Sequence, residues 1–440
     1  MTAMQPRVLH FGLGNFHRAH QAVYTEAVGN GEWGIAAVAP GNRETVAKLR
    51  AQNCVYSVTV RGPGEPRVSL CRALTEANHL TDDADRVEAL ITHPGTTVIT
   101  LTITEKGYFR TPEGRLDTAA PEIAADLAAG TARTVIGALV RGLTVRHLTG
   151  GAPLTVISCD NMAANGSALH GVVREFAELS GAGDAFLQWL GTAVAWPSTV
   201  VDRIVPATVP GDADAASAAL GVRDEVPVAA EPYRLWVLED AFAADRPRWE
   251  LDGALIVPDV TPYQLTKLRL LNGSHSALAY LGLAAGLQTV ADTMATDWGP
   301  KLVRQLADEV APTLPTFGPN PAAYADDLVT RFENPSIRHS LRQISADGSR
   351  KLPERWFGVL RETRSPVLEL ALAAWVHATR DAADPLATDL ARTWAEHRTA
   401  PELVAAQLRL VGAPDLADRA ELVRSVAERL PAVHDGRIEV

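Results

Sequence analysis

Residues 8–18 read Val8-Leu9-His10-Phe11-Gly12-Leu13-Gly14-Asn15-Phe16-His17-Arg18. An apolar run, two glycines one residue apart and a helix-compatible stretch follow in the order a dinucleotide-binding βαβ unit requires. Gly12 permits a tight turn, and Gly14 lets backbone N–H groups approach a pyrophosphate where the next helix begins. His17 stands where the usual G-x-G-x-x-G has its third glycine, and a lone G-x-G also reads as a simple strand-to-helix turn. Its place directly after a β-run favours the cofactor reading, with Gly12, Gly14, Asn15, Phe16 and His17 as the binding residues.

Working outward, strands are expected at 7–12, 34–39, 96–104, 154–159 and 235–238, with a helix over 18–28. Short β-branched runs alternating with helical patterns predict an α/β, Rossmann-like domain with a parallel-rich sheet. Several runs are apolar without strict alternation, as strands covered on both faces are. After about residue 260 the texture changes to helical periodicity, at 266–283, 302–310, 321–332, 367–378 and 401–410. The reading is a Rossmann-like dinucleotide-binding domain over residues 1–257 and a mainly α-helical substrate and catalytic domain over 258–440. Residues 211–226 read as a connector without a strong apolar face, and no repeat is evident.

Composition agrees with two folded domains. The chain has 440 residues, 47% hydrophobic and 21% charged, which excludes a disordered or fibrous protein. Its 52 acidic and 41 basic residues give a net charge of -11, which argues against a nucleic acid or an anionic membrane as partner. No protein partner is predicted. Three cysteines with no CxxC pair offer neither a disulfide framework nor a cysteine zinc site and fit a reducing, cytoplasmic setting. Residues 1–6 lack a signal-peptide pattern, and the most apolar run, 277–287, is far short of the ~20 residues of a membrane span.

The second expected strand ends Ala39-Pro40-Gly41-Asn42-Arg43. No carboxylate is there to meet a ribose 2′-hydroxyl, whereas Arg43 suits a 2′-phosphate or simply opens a solvated helix, so NAD and NADP both remain open. His17 and His20, at i and i+3, have no further ligands around them, and the reading is that they cap or position the phosphate-binding helix; no metal is expected.

The 41 basic residues are 36 arginines and five lysines, so a lysine is informative. Lys267 lies in Tyr263-Gln264-Leu265-Thr266-Lys267-Leu268-Arg269-Leu270-Leu271-Asn272-Gly273-Ser274-His275-Ser276, an apolar helix. Arginine does not deprotonate in proteins, whereas a desolvated lysine is tuned from ~10.4 towards ~7–8 and accepts a proton. At ~100° per residue, His275 falls at about 80° and Asn272 at about 140° from Lys267, on one side of an α-helix. Amine, amide and imidazole together supply a base, an oxygen-binding donor and a substrate-orienting group; the alternative is a snorkelling lysine, an intrahelical amide and a core histidine. Asn161, after Leu154-Thr155-Val156-Ile157-Ser158-Cys159-Asp160, stands at a strand's carboxyl end, where it meets a substrate oxygen or caps the next helix. Thr102-Ile103-Thr104-Glu105-Lys106-Gly107-Tyr108 likewise ends a strand and sets Glu105 near the ligand crevice or in a solvated turn.

Six motifs, in order, resemble the polyol-specific long-chain dehydrogenases, the family of mannitol 2-dehydrogenase, arabinitol dehydrogenase and fructuronate reductase. They are the glycine turn with Phe16-His17-Arg18-Ala19-His20; residues 102–108; Ser158 to Asn161 with Asn165-Gly166; Val201-Asp202-Arg203-Ile204; Trp236 to Asp240; and Lys267 to His275. The resemblance covers most of the chain. It implies metal-independent hydride transfer between a nicotinamide cofactor, NAD or NADP, and a small polyol or sugar acid, in a cleft between the two domains. By motif, Lys267 resembles the general acid/base, Asn161 and Asn272 the oxyanion-stabilising pair and His275 the substrate-positioning residue. Glu105, Val201 and Asp202 are carried over with the cofactor side of the cleft, and Lys351 with Arg350, in Asp347-Gly348-Ser349-Arg350-Lys351-Leu352-Pro353, with substrate binding. Some relatives carry a glutamate three residues before the catalytic lysine; here it is Gln264, so proton exchange needs Glu105, Asp202 or water.

The resemblance implies D-mannitol/D-fructose interconversion first, fructuronate reduction to mannonate next, because Lys351 or Arg350 suits a terminal carboxylate, and mannitol 1-phosphate oxidation third. Two other classes are a nicotinamide-binding regulatory protein without catalysis, disfavoured by the intact Lys267, Asn272, His275 and Asn161 set, and a zinc alcohol dehydrogenase, which chelators would inactivate.

Overall fold

The computed structural model describes residues 6–62, 64–129, 132–335, 339–381 and 383–440. The chain divides into two compact units, Met1–Val260 and Thr261–Val440.

The strands of the first unit are β1 (Pro6–Phe11), β2 (Gly34–Ala39), β3 (Tyr56–Val60), β4 (Arg67–Cys71), β5 (Leu74–His79), β6 (Val98–Leu101), β7 (Leu154–Ser158), β8 (Val194–Ala195), β9 (Thr199–Asp202), β10 (Val228–Ala230), β11 (Leu235–Glu239) and β12 (Leu255–Val257). Six form one sheet in the order β5-β2-β1-β6-β7-β8, and every pairing in it is parallel. The strand order reverses between β1 and β6, the place where open α/β sheets bind ligands beyond their carboxyl ends. Both faces are covered. On β2, Ile35, Ala37 and Ala39 enter one apolar layer while Ala36 and Val38 enter the other, so the run is apolar without alternating, as strands buried on both faces are.

Three expectations for the first unit are corrected. Residues 235–238 do form a strand, β11, but it joins a separate sheet, antiparallel to β9 and parallel to β12; a short apolar run does not encode which sheet it enters. The helix over 18–28 is instead two pieces, α1 (Asn15–Ala19) and α2 (Gln21–Val28), broken at His20, with φ -127° and ψ -87°. His20 leaves the helical region while its ring Nε2 bonds Leu235 O at 2.9 Å. The connector 211–226 carries a helix, Asp212–Leu220, with Asp212 and Asp214 in its first turn and Gly221 closing it at φ 69°; acidic residues suit a helix N-terminus, and glycine takes the left-handed cap cheaply. Its one buried residue is Ala216, which is why no apolar face is legible.

The second unit is helical. Its innermost helix, Pro366–Ala378, is buried from Val367 through Val376, as a helix apolar all round should be, and packs against Gly273–Ala284 and Ala420–His434. Helices also form at Gly299–Val310, Pro321–Phe332 and Ala400–Leu410. The expected helix over 266–283 begins earlier and is not uniformly α: Thr261–Thr266 is α, Lys267–Asn272 is a π-turn, and Gly273–Ala284 is α again. Among the described residues no helix is long and apolar enough to cross a membrane.

Candidate active site

In the first unit the glycine turn sits at the carboxyl end of β1, beside the switch point. Gly12 has φ 109°, and a Cβ there would lie 2.0 Å from Thr102 O, so only glycine lets β1 pass this close to β6. Its amide donates to Val38 O at 2.9 Å, and Gly14 N donates to Gly12 O at 2.7 Å. A Cβ on Gly14 would meet only Gly12 O, at 3.9 Å, and Gly14 is exposed. The turn thus presents an open backbone face of the kind a pyrophosphate needs, and the residues fit a dinucleotide.

The turn is braced from beneath. His10 shares its Nδ1 with Thr100 Oγ1 at 2.7 Å, and its Nε2 lies 3.0 Å from both Gly12 O and Thr102 Oγ1. His17 stacks on His10 with centroids 3.3 Å apart, is fully buried, and has no hydrogen-bond partner on either ring nitrogen. It is therefore packed under the turn, and no side chain caps α1. Burial lowers the His10 and His20 pKa values to about 3 and that of His17 well below the ordinary range. Asn15 is held at both ends, Oδ1 by Arg18 at 2.8 Å and Nδ2 on Thr208 Oγ1 at 3.2 Å, leaving its backbone to face a ligand. Phe16 is half-buried and stacks on His20 at 5.0 Å. Arg43 pairs with Asp82 through two contacts, at 2.6 and 2.8 Å.

Next to the turn, Asp160 accepts from Ile103 N at 3.0 Å, Thr104 N at 2.8 Å and Tyr108 Oη at 2.6 Å. Burial raises its pKa, opposed first by the Tyr108 bond and then by the two amides. Asp160 so ties the segment carrying Glu105 to the end of β7. Glu105 is exposed at the start of a 3₁₀ turn, Glu105–Tyr108, and Asn161 is exposed one residue after Asp160. Asn165 follows, its amide spanning Asp160 O at 3.0 Å and Thr199 O at 3.1 Å, which links β7 to β9. Val201 and Asp202 close β9 and are buried, at 6% exposure each. Asp160, His10 and Thr102 escaped the sequence reading: Asp160 was visible in its motif, but its loop-tying role needs the β6–β7 pairing.

In the second unit, Lys267 opens the π-turn and Asn272 closes it. Hydrogen bonding from i to i+5 makes residues five apart neighbours on one face, so these two stand closer in angle than the α-helical reading gave. A wide turn leaves carbonyls without their usual partners, and here a second π-turn, Pro353–Phe357, supplies donors. Trp356 Nε1 donates to Gly273 O at 3.1 Å, and Arg355 Nη1 donates to Asn272 O at 3.5 Å and Ser276 Oγ at 2.8 Å. His275 is buried at 8% exposure, between Phe332 at 4.4 Å and His339 at 5.1 Å, and its Nε2 has no partner. Burial, then His339, Arg331 and Arg355, hold its pKa well below the ordinary range, so the ring is neutral at pH 7. Lys351 Nζ donates to Ile344 O at 3.3 Å, with its pKa lowered by burial and next by Arg355. Arg350 is exposed. Asp347 and Asp384 partly offset the lowering at Lys351, as Glu354 does at Arg355, whose pKa burial also lowers. Arg355, one helical turn beyond Lys351, was missed in the sequence although an i, i+4 spacing could have flagged it. Among the described residues no cluster of His, Cys, Asp or Glu is arranged to hold a metal.

Comparison with known proteins agrees with this layout. Residues 6–251 match the mannitol dehydrogenase Rossmann domain and residues 259–434 the mannitol dehydrogenase C-terminal domain. The chain is 38% identical over 453 residues to D-mannonate oxidoreductase of Escherichia coli, covering 97% of this chain and 92% of that protein. The ternary complex of Pseudomonas fluorescens mannitol 2-dehydrogenase with NAD and D-mannitol superposes with a TM-score of 0.82 at 29% identity, covering 99% of this chain and 93% of that one. A substrate-free D-sorbitol dehydrogenase gives a TM-score of 0.90 at 27% identity, with 99% and 94% covered. The chain is therefore an oxidoreductase and belongs to the mannitol dehydrogenase family.

Proposed function

We propose that this protein is an NAD-dependent dehydrogenase that interconverts a secondary alcohol on an open-chain sugar acid or polyol with the matching ketone, using Lys267 rather than a metal as the acid/base. The observation that carries the reading is the π-turn, which sets Lys267 and Asn272 on one face and leads directly into the neutral, partly unsatisfied imidazole of His275. A bound nicotinamide would supply the acceptor for the hydride that leaves the alcohol carbon. Neutral Lys267 takes the hydroxyl proton as that carbon becomes a carbonyl, and returns it in the reverse direction. The side-chain amides of Asn272 and, by the family motif, Asn161 donate to the oxygen as its negative charge grows, a role worth ~2.7–4 kcal/mol per donor in comparable sites. His275 orients a neighbouring hydroxyl, and its pKa keeps it from competing for the proton. Gly12, Gly14, Asn15 and Phe16 would hold the cofactor, with His17 supporting them from below.

Lys351 and Arg355, two partly buried cations whose pKa values burial lowers, favour a substrate ending in a carboxylate, such as mannonate. Likeness to an enzyme crystallised with D-mannitol supports a neutral hexitol as the second reading. Initial rates with NAD and NADP against mannonate, mannitol, arabinitol, sorbitol and mannitol 1-phosphate, followed by nicotinamide absorbance, test both. Mannonate with NAD is expected to give the highest kcat/KM. Lys267→Ala should abolish turnover while NADH still binds; near wild-type turnover would remove the assigned base.

A further inference from the structure

The second strand ends without the carboxylate that usually reads an adenosine ribose. Asn42 caps α3 (Arg43–Ala51), its Oδ1 accepting from Thr45 N at 2.9 Å, and a Cβ on Gly41 would meet nothing within 4 Å. The ground beside that strand end is open. Strand β5 runs parallel to β2 as far as Ala39 opposite His79, and Leu80 N donates to Ala39 O at 3.0 Å. The two chains therefore emerge side by side, and the one leaving β5 brings Asp82 to the start of α3. There Asp82 Oδ2 lies 2.6 Å from Arg43 Nε and Oδ1 2.8 Å from Arg43 Nη2, with the two side chains 49% and 65% exposed.

We propose that Asp82, supplied by the neighbouring strand, takes over the missing carboxylate's task and, with Arg43 holding its orientation, selects a 2′-hydroxyl over a 2′-phosphate. The inference rests on the dinucleotide reading of the first unit. A carboxylate accepts a hydrogen bond from a ribose hydroxyl and repels a phosphate, while the guanidinium that a phosphate would use is already occupied fork to fork. The neighbouring cations offer no substitute. Lys48 pairs with Glu44, Arg50 with Asp83, and Arg86, on α4 (Ala84–Thr92), with Glu76. A 2′-phosphate would have to break one of these pairs to find a positive partner.

The test measures binding as well as rate. Kd values for NADH and NADPH, from fluorescence titration, and kcat/KM with NAD and NADP are compared for wild type, Asp82→Asn and Asp82→Asn with Arg43→Ala. Wild type should favour NADH. Asp82→Asn should weaken NADH and tighten NADPH, each by about tenfold, the size of one charge-assisted hydrogen bond. Adding Arg43→Ala should remove the gain in NADPH affinity. The proposal is overturned if the NADH to NADPH ratio is unchanged in a normally melting Asp82→Asn protein, if the gain survives without Arg43, or if wild type prefers NADPH. A wild-type protein that binds neither cofactor would instead bring down the dinucleotide reading and this proposal with it.

Discussion

Replacing Gly12 with alanine would place a Cβ 2.0 Å from Thr102 O, 2.6 Å from its carbonyl carbon and 2.8 Å from its Oγ1, at a φ of +109°. Backbone strain at such an angle costs about 1–3 kcal/mol. The overlap is with main chain, so it is relieved only by separating β1 from β6, which displaces the bonds from Thr102 N to Phe11 O at 2.8 Å and from Gly12 N to Val38 O at 2.9 Å. At about 1 kcal/mol each, the total is roughly 3–5 kcal/mol, a fall of about 6–20 °C in Tm for a domain of this size. Gly14→Ala is the control: its backbone is extended, at φ -98° and ψ -178°, and its Cβ meets nothing nearer than 3.9 Å. Its stability should change by no more than about 1 kcal/mol, while Kd for NADH rises at least about tenfold because the methyl occupies the open face. Differential scanning fluorimetry and NADH fluorescence titration read the two effects. A Gly12→Ala protein that melts like wild type, or a Gly14→Ala protein that binds NADH as tightly, would refute this account of the turn.

Acid should loosen the first unit. His10 and His20 have folded pKa values near 3 against 6.5 when unperturbed, and His17 is also well below, so below pH 6.5 the unfolded chain binds protons that the folded one refuses. Their full stabilisation is present above pH 6.5 and is lost as pH falls towards about 3, at up to about 4 kcal/mol per pH unit if all three contribute; a urea midpoint for this unit that stays flat from pH 7 to 4.5 would show that the rings do not stay neutral. Lys351→Met should raise KM for mannonate by about ten- to a hundredfold and move KM for mannitol far less; equal effects on both would disconnect Lys351 from a carboxylate.

The parts of the fold written in local pattern were legible. Val8 to Gly14 announced a strand and the tight glycine turn that ends it, and the periodicity at 321–332 matches the helix Pro321–Phe332. What stayed hidden depended on partners distant in sequence. Edge strand β5, LTEANH, carries too many polar residues to stand out, and the sheet that β11 joins is set by β9 and β12. The break at His20 comes with a bond to Leu235, 215 positions away. Within the candidate site, Lys267, Asn272 and His275 were singled out by residue type and spacing, but the turn carrying the first two looks α-helical in sequence because the donors to its carbonyls, Arg355 and Trp356, come from another segment. Arg43 was read as suiting a 2′-phosphate or opening a solvated helix, because Asp82, 39 residues on, cannot be paired with it without the β2–β5 register.

The π-turn is in effect a phase slip of one residue in an otherwise ordinary helix. Deleting a single residue between Lys267 and Asn272 would let the segment relax to α geometry with the two side chains four apart and still on one face, whereas α geometry at full length would part them by about 140°. The one extra residue is thus what lets an amine and a carboxamide five positions apart face the same way within a helix that is α on either side.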